Sequence, residues 1–512
     1  EFRRVLFRSS VMLTESLNSN YAGRLPWCEL ARRVEGLTGE VELRVSFVPG
    51  TAACTRSPWI QSTDKGQVIH IGDLMAMLRT SDDVSLTHFD DHAIEGTLIA
   101  REGVRSLVAL LVSHKEPLAV PSLEKIDGHI DISDHVWQLW CESLTYQGLF
   151  PEHVKRSALA LKFLLYSPTG ALAAAPTTSL PEGIGGEKNY DYRYAWTRDA
   201  CMIIRAFTVI GALEECKAAF SWLTNTILRH DGKVRVCYTL DGGIVPAESY
   251  PPLSGYKNSH PVRIGNNARD QQQLSMYGDL LATALLFVRA GHVLDLTTAR
   301  LLAALANTCA DIWKQEDSGI WELHDLQHYT HSKITCWITL DIAAHLAREG
   351  HLEATWVARW DREKSRIQAW VEAHCWSEKK QSYTFYAGSD RLDASLCLTW
   401  HYGKHCNVQR MRSTLNALVD ELGHGEPMLY RYSGVEQEES TFVACSFWLV
   451  EALAEMGDKA RARRYMDTIL KTLCDKGNVE TFNEMFDVRS GEWRGTAAAV
   501  GTTMAELGFA DA

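Results

Sequence analysis

The chain has 512 residues, of which 46% are hydrophobic and 23% charged, and its formal net charge is −12. This length exceeds an ordinary single domain, and the apolar fraction excludes an intrinsically disordered chain. The acidic balance argues against nucleic-acid partners, because phosphate recognition needs clustered Lys and Arg, whereas a neutral ligand is compatible with it. No run of about 18 uncharged apolar residues occurs, so the sequence predicts no membrane-spanning helix.

The chain begins with Glu-Phe instead of Met, and its first residues lack the apolar core of a signal peptide. We expect residues 1–9 to be a cloning or sequencing remnant, and a leader lost with the natural start stays an open alternative. The 13 cysteines are scattered singly among apolar neighbours, as at Cys336 and Cys445. This spacing predicts reduced core thiols in a cytoplasmic protein and no metal site.

Between about residues 36 and 125 the sequence has the period of two that is typical of β-strands. Val41, Leu43, Val45 and Phe47 alternate with polar residues. The segments 67–71, 97–100 and 106–112 also have the pattern of strands, and turn residues separate them. Residues 1–130 are therefore predicted to form part of an antiparallel β-sandwich.

From about residue 134 onward the period becomes helical. Helices are predicted over 134–145, 151–166, 198–212, 214–229, 268–290, 296–315, 331–348, 353–375, 391–401, 407–421, 439–456, 458–475 and 495–507. Amphipathic segments such as 458–475 alternate with segments such as 439–456, which are apolar nearly all round. Alternating half-buried and fully buried helices predict a double ring, an (α/α)6 barrel over residues 151–512, with residues 131–150 as a linker helix. A helical-repeat solenoid is the alternative, but no motif recurs at a period of about 33–47 residues.

The segment 189–199 is the richest polar and aromatic cluster, with three Tyr, one Trp, two Arg and two Asp just before a predicted apolar helix. Paired charges such as Arg198 and Asp199 can hydrogen-bond neighbouring hydroxyl groups, and Tyr192 and Trp196 can supply a flat apolar face. The segment therefore predicts a wall that binds a hydroxyl-rich ligand. A helix N-terminus with a surface aromatic patch is the alternative.

Two carboxyl groups lie among aromatic residues later in the chain. Glu322 follows Trp321, where a low-dielectric pocket would keep a proton on the carboxyl group, and Glu484 lies in the aromatic segment 479–487. On facing loops of one cavity, these two groups would form an acid/base pair. Taken singly, each is equally explained as an exposed glutamate.

These clusters occur in an order that resembles bacterial glycoside hydrolase family 15, the glucoamylase, glucodextranase and trehalase-like family. The resemblance covers about residues 140–495, and the string Asp191–Asp199 is its most specific part. The other matching segments are Leu172–Glu182, Gly255–Tyr256, Pro261–Asn266, Asp270–Gln271, Ile320–Glu322, His331–Lys333, Tyr430–Tyr432 and Asn483–Asp487.

The resemblance implies an (α/α)6 catalytic barrel behind an N-terminal β-sandwich, and hydrolysis of a terminal α-glucosyl residue with inversion, without a metal or other cofactor. It implies that Glu322 is the general acid and Glu484 the general base. The implied substrate-binding residues are Tyr192, Trp196, Arg198, Asp199, Arg269, Asp270, Trp321 and Arg431. The partner implied is a small-molecule or oligosaccharide α-glucoside, and a homo-oligomer is compatible with the sequence.

The ends of the chain depart from the family pattern. The sandwich is shorter than is usual in the family, so it is predicted to be incomplete, and the last helix is short and interrupted at Gly501. A fragment and natural variation both explain these ends. A non-catalytic glucoamylase-like binding protein is the functional alternative, against which the retained Glu322 and Glu484 argue. A disaccharide phosphorylase is disfavoured because a carboxylate at position 484 would repel phosphate.

Overall fold

A computed structural model describes residues 9–19, 25, 27–49, 58–90, 93–400, 407–474 and 482–497. The chain divides into two compact units, Glu1–Glu142 and Ser143–Ala512. Across the described ranges, no helix is long and apolar enough to cross a membrane.

Two antiparallel sheets form the first unit in its described part. The strands are β1 (Ser10–Leu17), β2 (Cys28–Thr38), β3 (Glu40–Phe47), β4 (Trp59–Thr63), β5 (Gly66–Ile71), β6 (Leu74–Thr80), β7 (Val84–Phe89), β8 (Ile94–Arg101) and β9 (Arg105–His114). One sheet has the order β1-β2-β9-β6-β5-β4 and the other β3-β8-β7. The predicted strand segments fall in β3, β5, β8 and β9, so the antiparallel character of this region is confirmed.

The two sheets bury a shared apolar core, in which Val34 of β2 packs with Leu98 and Ala100 of β8. The other face of the larger sheet is covered by helix α1 (Leu123–Ser143), which buries Ile126 and Ile130 against it. The helix predicted over 134–145 therefore begins too late. Its first turns are fixed by contact with the sheet, which the local sequence pattern does not show.

Helices dominate the second unit. They are α2 (Pro151–Phe163), α3 (Thr197–Ile210), α4 (Leu213–Arg229), α5 (Ser275–Arg289), α6 (Leu296–Ile312), α7 (Thr330–Arg348), α8 (Val357–His374), α9 (Leu396–Thr399), α10 (Val408–Leu422), α11 (Val443–Glu455) and α12 (Lys459–Cys474). Short strands lie between them: β10 (Leu165–Tyr166), β11 (Ala171–Leu172), β12 (Ala195–Trp196), β13 (Cys237–Tyr238), β14 (Trp376–Ser377), β15 (Ser382–Tyr383), β16 (Thr441–Phe442), β17 (Asn483–Asp487) and β18 (Glu492–Ala497). Single 3-10 turns occupy Tyr256–Asn258, Asn267–Asp270 and Ala354–Trp356.

Two kinds of helix alternate along this unit, as predicted. Helices α3, α5, α7 and α11 are buried on most of their surface, whereas α8, α10 and α12 bury one face. The buried helices pack in sequence order, α3 on α5, α5 on α7, and α9 between α7 and α11. A buried ion pair between Arg205 and Glu451 joins α3 to α11. The result is an inner ring of helices with the amphipathic ones outside it.

Several predicted helix boundaries are wrong, and three of the errors lie in the segments just before α5, α9 and α11. Residues 268–274 are not α-helical, because the Asn266 side chain caps a separate 3-10 turn at Asn267–Asp270. The helix predicted over 391–401 is a single turn in its described part, and 439–442 lies before α11. The start of the helix predicted over 495–507 is strand β18, and 498–507 lies outside the described residues.

Glu29 in the first unit provides a test of how α1 is attached to the sheet. Its side chain is fully buried, accepts hydrogen bonds from Asn18 Nδ2 at 2.7 Å and Trp27 Nε1 at 3.0 Å, and pairs with His129 of α1 at 2.9 Å. Glu29→Ala leaves these partners unsatisfied and should lower the free energy of unfolding by about 2–4 kcal/mol in urea denaturation.

The control for this change is Glu95→Ala, which breaks a more exposed ion pair with Arg44. An exposed pair contributes about 1 kcal/mol or less, so this variant should differ little from the parent. Equal losses in the two variants would contradict an anchoring role for Glu29.

Candidate active site

A cavity of about 760 Å³ opens in the second unit among the segments that lead into the inner helices. Trp196 immediately precedes α3, Gln271 lies just before α5, and Phe442 immediately precedes α11. Of the residues predicted from sequence, those that line this cavity are Tyr192, Trp196, Arg198, Asp199, Asp270, Trp321, Glu322, Arg431 and Glu484. The fold thus brings together side chains that lie almost 300 residues apart along the chain.

Arg269 is the predicted site residue that the structure places outside the cavity lining. Its Nη1 donates to the carbonyl oxygen of Val245 at 2.6 Å, and its Nε lies 3.1 Å from Asp270 Oδ2. Asp270 has a mostly exposed side chain at the cavity rim. Arg269 therefore braces the loop that carries Asp270 instead of facing the cavity.

Glu322 is held by contacts on both its side chain and its backbone. Its Oε1 accepts a hydrogen bond from Trp196 Nε1 at 2.8 Å, and Arg198 Nη1 lies 3.5 Å from the same oxygen. The residue has a φ of 59°, and its carbonyl oxygen accepts from Gln271 Nε2 at 2.9 Å. A glutamate in the left-handed region is uncommon, and here the surrounding contacts keep the backbone in that conformation.

Burial raises the pKa of Glu322 above its ordinary value. The positive charge of Arg198 opposes this shift, and the negative charge of Asp199 adds to it. Because Oε1 already accepts from Trp196 Nε1, a proton on this carboxyl group is best placed on Oε2. The geometry is that of a group able to donate a proton.

Arg198 and Asp199 form an ordered pair at the start of α3. Arg198 Nε lies 2.9 Å from Asp199 Oδ1, and its Nη1 donates to the carbonyl oxygen of Ile320 at 2.8 Å. Asp279 of α5 is buried near the pair, and this burial raises its pKa to about 7, with Arg198 opposing and Asp199 adding to the shift. The pair thus presents a donor and an acceptor with fixed geometry to the cavity.

Arg431 lies beside two aromatic rings that also line the cavity. Its guanidinium carbon is 5.5 Å from the ring centres of both Trp321 and Phe442. Its Nε donates to Glu439 Oε2 at 2.7 Å, and its Nη2 lies 3.5 Å from Glu182 Oε2. Stacking and ion pairing together fix the position of this cation.

Glu484 lies on β17, which pairs with β16 just before α11. Its Oε2 is buried and has no hydrogen-bond partner among the described residues. Gly495, with a φ of 70°, lies behind it, and a Cβ added there would be 3.0 Å from Oε2. Burial raises the pKa of Glu484 to about 8, Glu182 and Glu439 add to the shift, and Arg431 opposes it.

Several cavity residues were not predicted from the sequence. Glu182, Lys188 and Glu439 form a charge network with Arg431, in which the two glutamates are buried and Lys188 is half-buried. At the mouth, Arg263 lies over the rings of Tyr190 and Tyr250 and pairs with Glu248; all four line the cavity. Of these, Tyr190 belongs to the predicted wall at 189–199, and Arg263 to the matching segment Pro261–Asn266. The string Leu172–Glu182 did mark Glu182 as part of the resemblance. No local pattern separates Glu439 from the other 63 acidic residues of the chain.

Comparison with known proteins identifies the family. The model of glycosyl hydrolases family 15 matches residues 148–507. A trehalase of Thermoplasma acidophilum is 30% identical over 487 residues, which cover 94% of this chain and 82% of that protein. A trehalase of Mycolicibacterium smegmatis is 37% identical over 386 residues, 72% of this chain and 56% of that one.

The chain belongs to glycosyl hydrolases family 15. Among solved structures, a bacterial glucoamylase complexed with acarbose has a TM-score of 0.73 and 13% identity, and the match covers 98% of this chain and 80% of that chain. This likeness confirms the predicted fold class, an (α/α)6 barrel with an N-terminal antiparallel β-region. The protein is thus a glycoside hydrolase, and these comparisons do not support the non-catalytic alternative.

Gly319 allows a test of whether the turn before Glu322 fixes the position of that residue in the cavity. Gly319 has a φ of 65°, and a Cβ there would lie 2.8 Å from the ring of Tyr329. Gly319→Ala should displace the turn that carries Glu322 and lower kcat about tenfold or more, because small displacements of groups that line an active-site cavity are costly. Steady-state kinetics of glucoside hydrolysis measure the effect.

Gly350→Ala is the matched control, because Gly350 also has a positive φ, 85°, but has open space around its α-carbon. It should lose only about 1 kcal/mol of stability and keep its kcat. A Gly319→Ala variant with normal kcat would show that the turn tolerates displacement.

The raised pKa of the buried Asp279 carboxyl group can be tested through the pH dependence of stability. Its pKa of about 7 in the folded enzyme exceeds the ordinary 3.8, so between these values the folded state retains a proton that the unfolded state releases. The stability that the protonated Asp279 contributes to the folded state is fully present at low pH and is lost as the pH rises to about 7. Asp279→Asn should therefore gain about 2–4 kcal/mol relative to the parent between pH 4 and pH 8.

Urea denaturation across this pH range measures the difference. Asp420→Asn, which changes an exposed carboxyl group, is the control and should differ from the parent by no more than about 0.5 kcal/mol. A difference between Asp279→Asn and the parent that does not change with pH would show that Asp279 is ionised in the folded enzyme.

Proposed function

We propose that this family 15 enzyme is an inverting, exo-acting α-glucoside hydrolase whose substrate is trehalose. The observation that carries the proposal is that Glu322 and Glu484 line one cavity together with Arg198 and Asp199. Relatives from Thermoplasma, Mycolicibacterium and Sulfolobus named trehalase support the substrate. A cytoplasmic location and a homo-oligomer stay predictions from the sequence.

The general acid of the proposed reaction is Glu322. Its raised pKa retains the proton, and the hydrogen bond from Trp196 Nε1 to Oε1 leaves Oε2 to donate it. That proton passes to the glycosidic oxygen as the bond from this oxygen to the anomeric carbon breaks. The Arg198 cation stabilises the carboxylate that remains.

The general base of the proposed reaction is Glu484. Its ionised carboxylate takes a proton from a water molecule while the water oxygen bonds to the anomeric carbon from the opposite ring face. Glu484 lines the cavity, and no described residue hydrogen-bonds its Oε2. Arg431 favours the ionised form that the step requires.

The cavity has the gradient of exposure that an exo-acting enzyme needs. Trp196 and Trp448 are buried, whereas Tyr250 and Asp270 are exposed at the rim. We place the terminal glucose in the buried part, with Arg198 and Asp199 on its hydroxyl groups, and the leaving sugar near Tyr250. A sugar ring stacks well on an exposed aromatic face of this kind.

Proton NMR of separate reactions with trehalose, maltotriose and isomaltotriose tests the proposal. Trehalose should be hydrolysed, and α- and β-glucose should appear early in equal amounts, because inversion changes only one of its two rings. If maltotriose is hydrolysed instead and β-glucose appears early, the inverting mechanism is supported and trehalose is wrong as the substrate. Release of α-glucose alone from maltotriose would overturn the inverting assignment.

Glutamine variants test the two carboxyl groups. Glu322→Gln and Glu484→Gln should each lower kcat by about 10²–10⁴-fold or more, because each removes a proton-transfer step. Glu316→Gln changes a half-exposed carboxyl group that does not line the cavity and should keep its activity within about twofold of the parent. Normal kcat in either site variant would remove that residue from its proposed role.

A further inference from the structure

A network of paired charges lies in the cavity lining that also includes Glu484. Lys188 Nζ pairs with Glu439 and lies 3.2 Å from Glu438 Oε2. Glu439 in turn binds Arg431 through both of its oxygens, and Arg431 Nη2 lies 3.5 Å from Glu182 Oε2. The Glu439 and Glu182 side chains are 0% and 3% exposed, so solvent screens their charges little.

The groups that influence the ionisation of Glu484 come from several elements of the fold. Glu182 and Tyr192 come from the segment before α3, and Asp199 comes from α3 itself. Arg431 and Glu439 come from the segment between α10 and α11. Arg431 is the cation that favours the carboxylate form of Glu484, whereas the neighbouring carboxyl groups oppose it.

The charge that Arg431 presents to Glu484 depends on how Glu439 is shared. Glu439 accepts from two cations, Lys188 and Arg431. If Lys188 is removed, Arg431 alone compensates the negative charge of Glu439, and the net charge near Glu484 becomes more negative. If the charge of Glu439 is removed, Arg431 interacts only with the carboxyl groups of Glu182 and Glu484. The rings of Trp321 and Phe442 hold the guanidinium group in place in either case.

We propose that the Lys188–Glu439 ion pair sets the ionisation of Glu484 through Arg431, which makes Lys188 and Glu439 positioning residues of the hydrolysis. The inference rests on the proposed role of Glu484 as general base. It assigns a function to an ion pair that would otherwise only tie the segment before α3 to the segment before α11.

The two partners of this ion pair should shift the pH profile in opposite directions. Lys188→Met removes a positive charge, makes Glu484 harder to ionise and should move the acidic limb of kcat/KM to higher pH. Glu439→Gln removes a negative charge, retains an acceptor for Arg431 and should move the limb to lower pH. Each shift should be at least about 0.5 pH unit at low ionic strength.

A purely structural ion pair predicts a different result, since loss of either partner breaks the same contact. Equal changes in stability, with both limbs unmoved or moved in the same direction, would overturn the proposal. Lys188→Arg is the conservative control, because it retains the charge and should retain the profile of the parent. A Lys188→Arg profile like that of Lys188→Met would also overturn it.

Glu484→Gln, measured in the same series, separates the two proposals. If it keeps its activity, the proposed base is wrong, whatever the limbs do. If it is inactive and the limbs do not shift in opposite directions, only the ion-pair proposal fails.

Difference infrared titration against Glu484→Gln follows the Glu484 carboxyl group without turnover. Opposite shifts of its pKa in Lys188→Met and Glu439→Gln support the proposal, and unchanged values overturn it. If Lys188→Met does not fold in thermal melting, the direction in Glu439→Gln decides alone: a lowered pKa supports the proposal, and an unchanged or raised one overturns it.

Discussion

Two buried guanidinium groups hold the carboxyl groups of this cavity in a defined arrangement. Arg198 contacts Asp199 and Glu322, and Arg431 contacts Glu439 and Glu182. Without these cations, so many buried carboxylates would be very costly in a low-dielectric cavity, and the groups would take up protons instead. The fixed forks of the guanidinium groups also give each carboxyl group a direction, which a more mobile lysine ammonium would not.

The inner ring of helices explains why these groups meet. Each inner helix is buried on most of its surface, so its position is set by packing and its entry segment can be irregular. The entry segments carry the strained and polar features: Glu322 with positive φ before α7, Trp196 before α3, and the β16–β17 pair before α11. A rigid core thus supports side chains whose own backbone would be unstable in isolation.

Burial is the largest cause of the raised pKa of both proposed catalytic carboxyl groups, but their neighbours differ. Glu322 accepts a hydrogen bond from Trp196 on an oxygen that also lies near Arg198, whereas Glu484 lies among the carboxyl groups of Glu182 and Glu439, whose effect Arg431 opposes. Both bind protons more tightly than an exposed glutamate. The acid needs this shift, but the base must lose its proton, so the charges on the wall near Glu484 decide the pH range of the proposed reaction.

Local sequence determined the elements whose signal is periodic or concentrated. The alternation at Val41–Phe47, the helical alternation after residue 134 and the cluster at 189–199 each act over a few residues, so they identified the strands, the double ring and the wall with Arg198 and Asp199. Tertiary structure alone decided the start of α1, the separate turn at Asn267–Asp270, and the contacts that hold Arg269 outside the cavity lining. It also decided that Glu182, Lys188 and Glu439 lie beside Glu484. Charged side chains carry no periodic signal, and their ion-pair partners here lie as far as 251 residues away along the chain, so only the packing of the helices determines which charges meet.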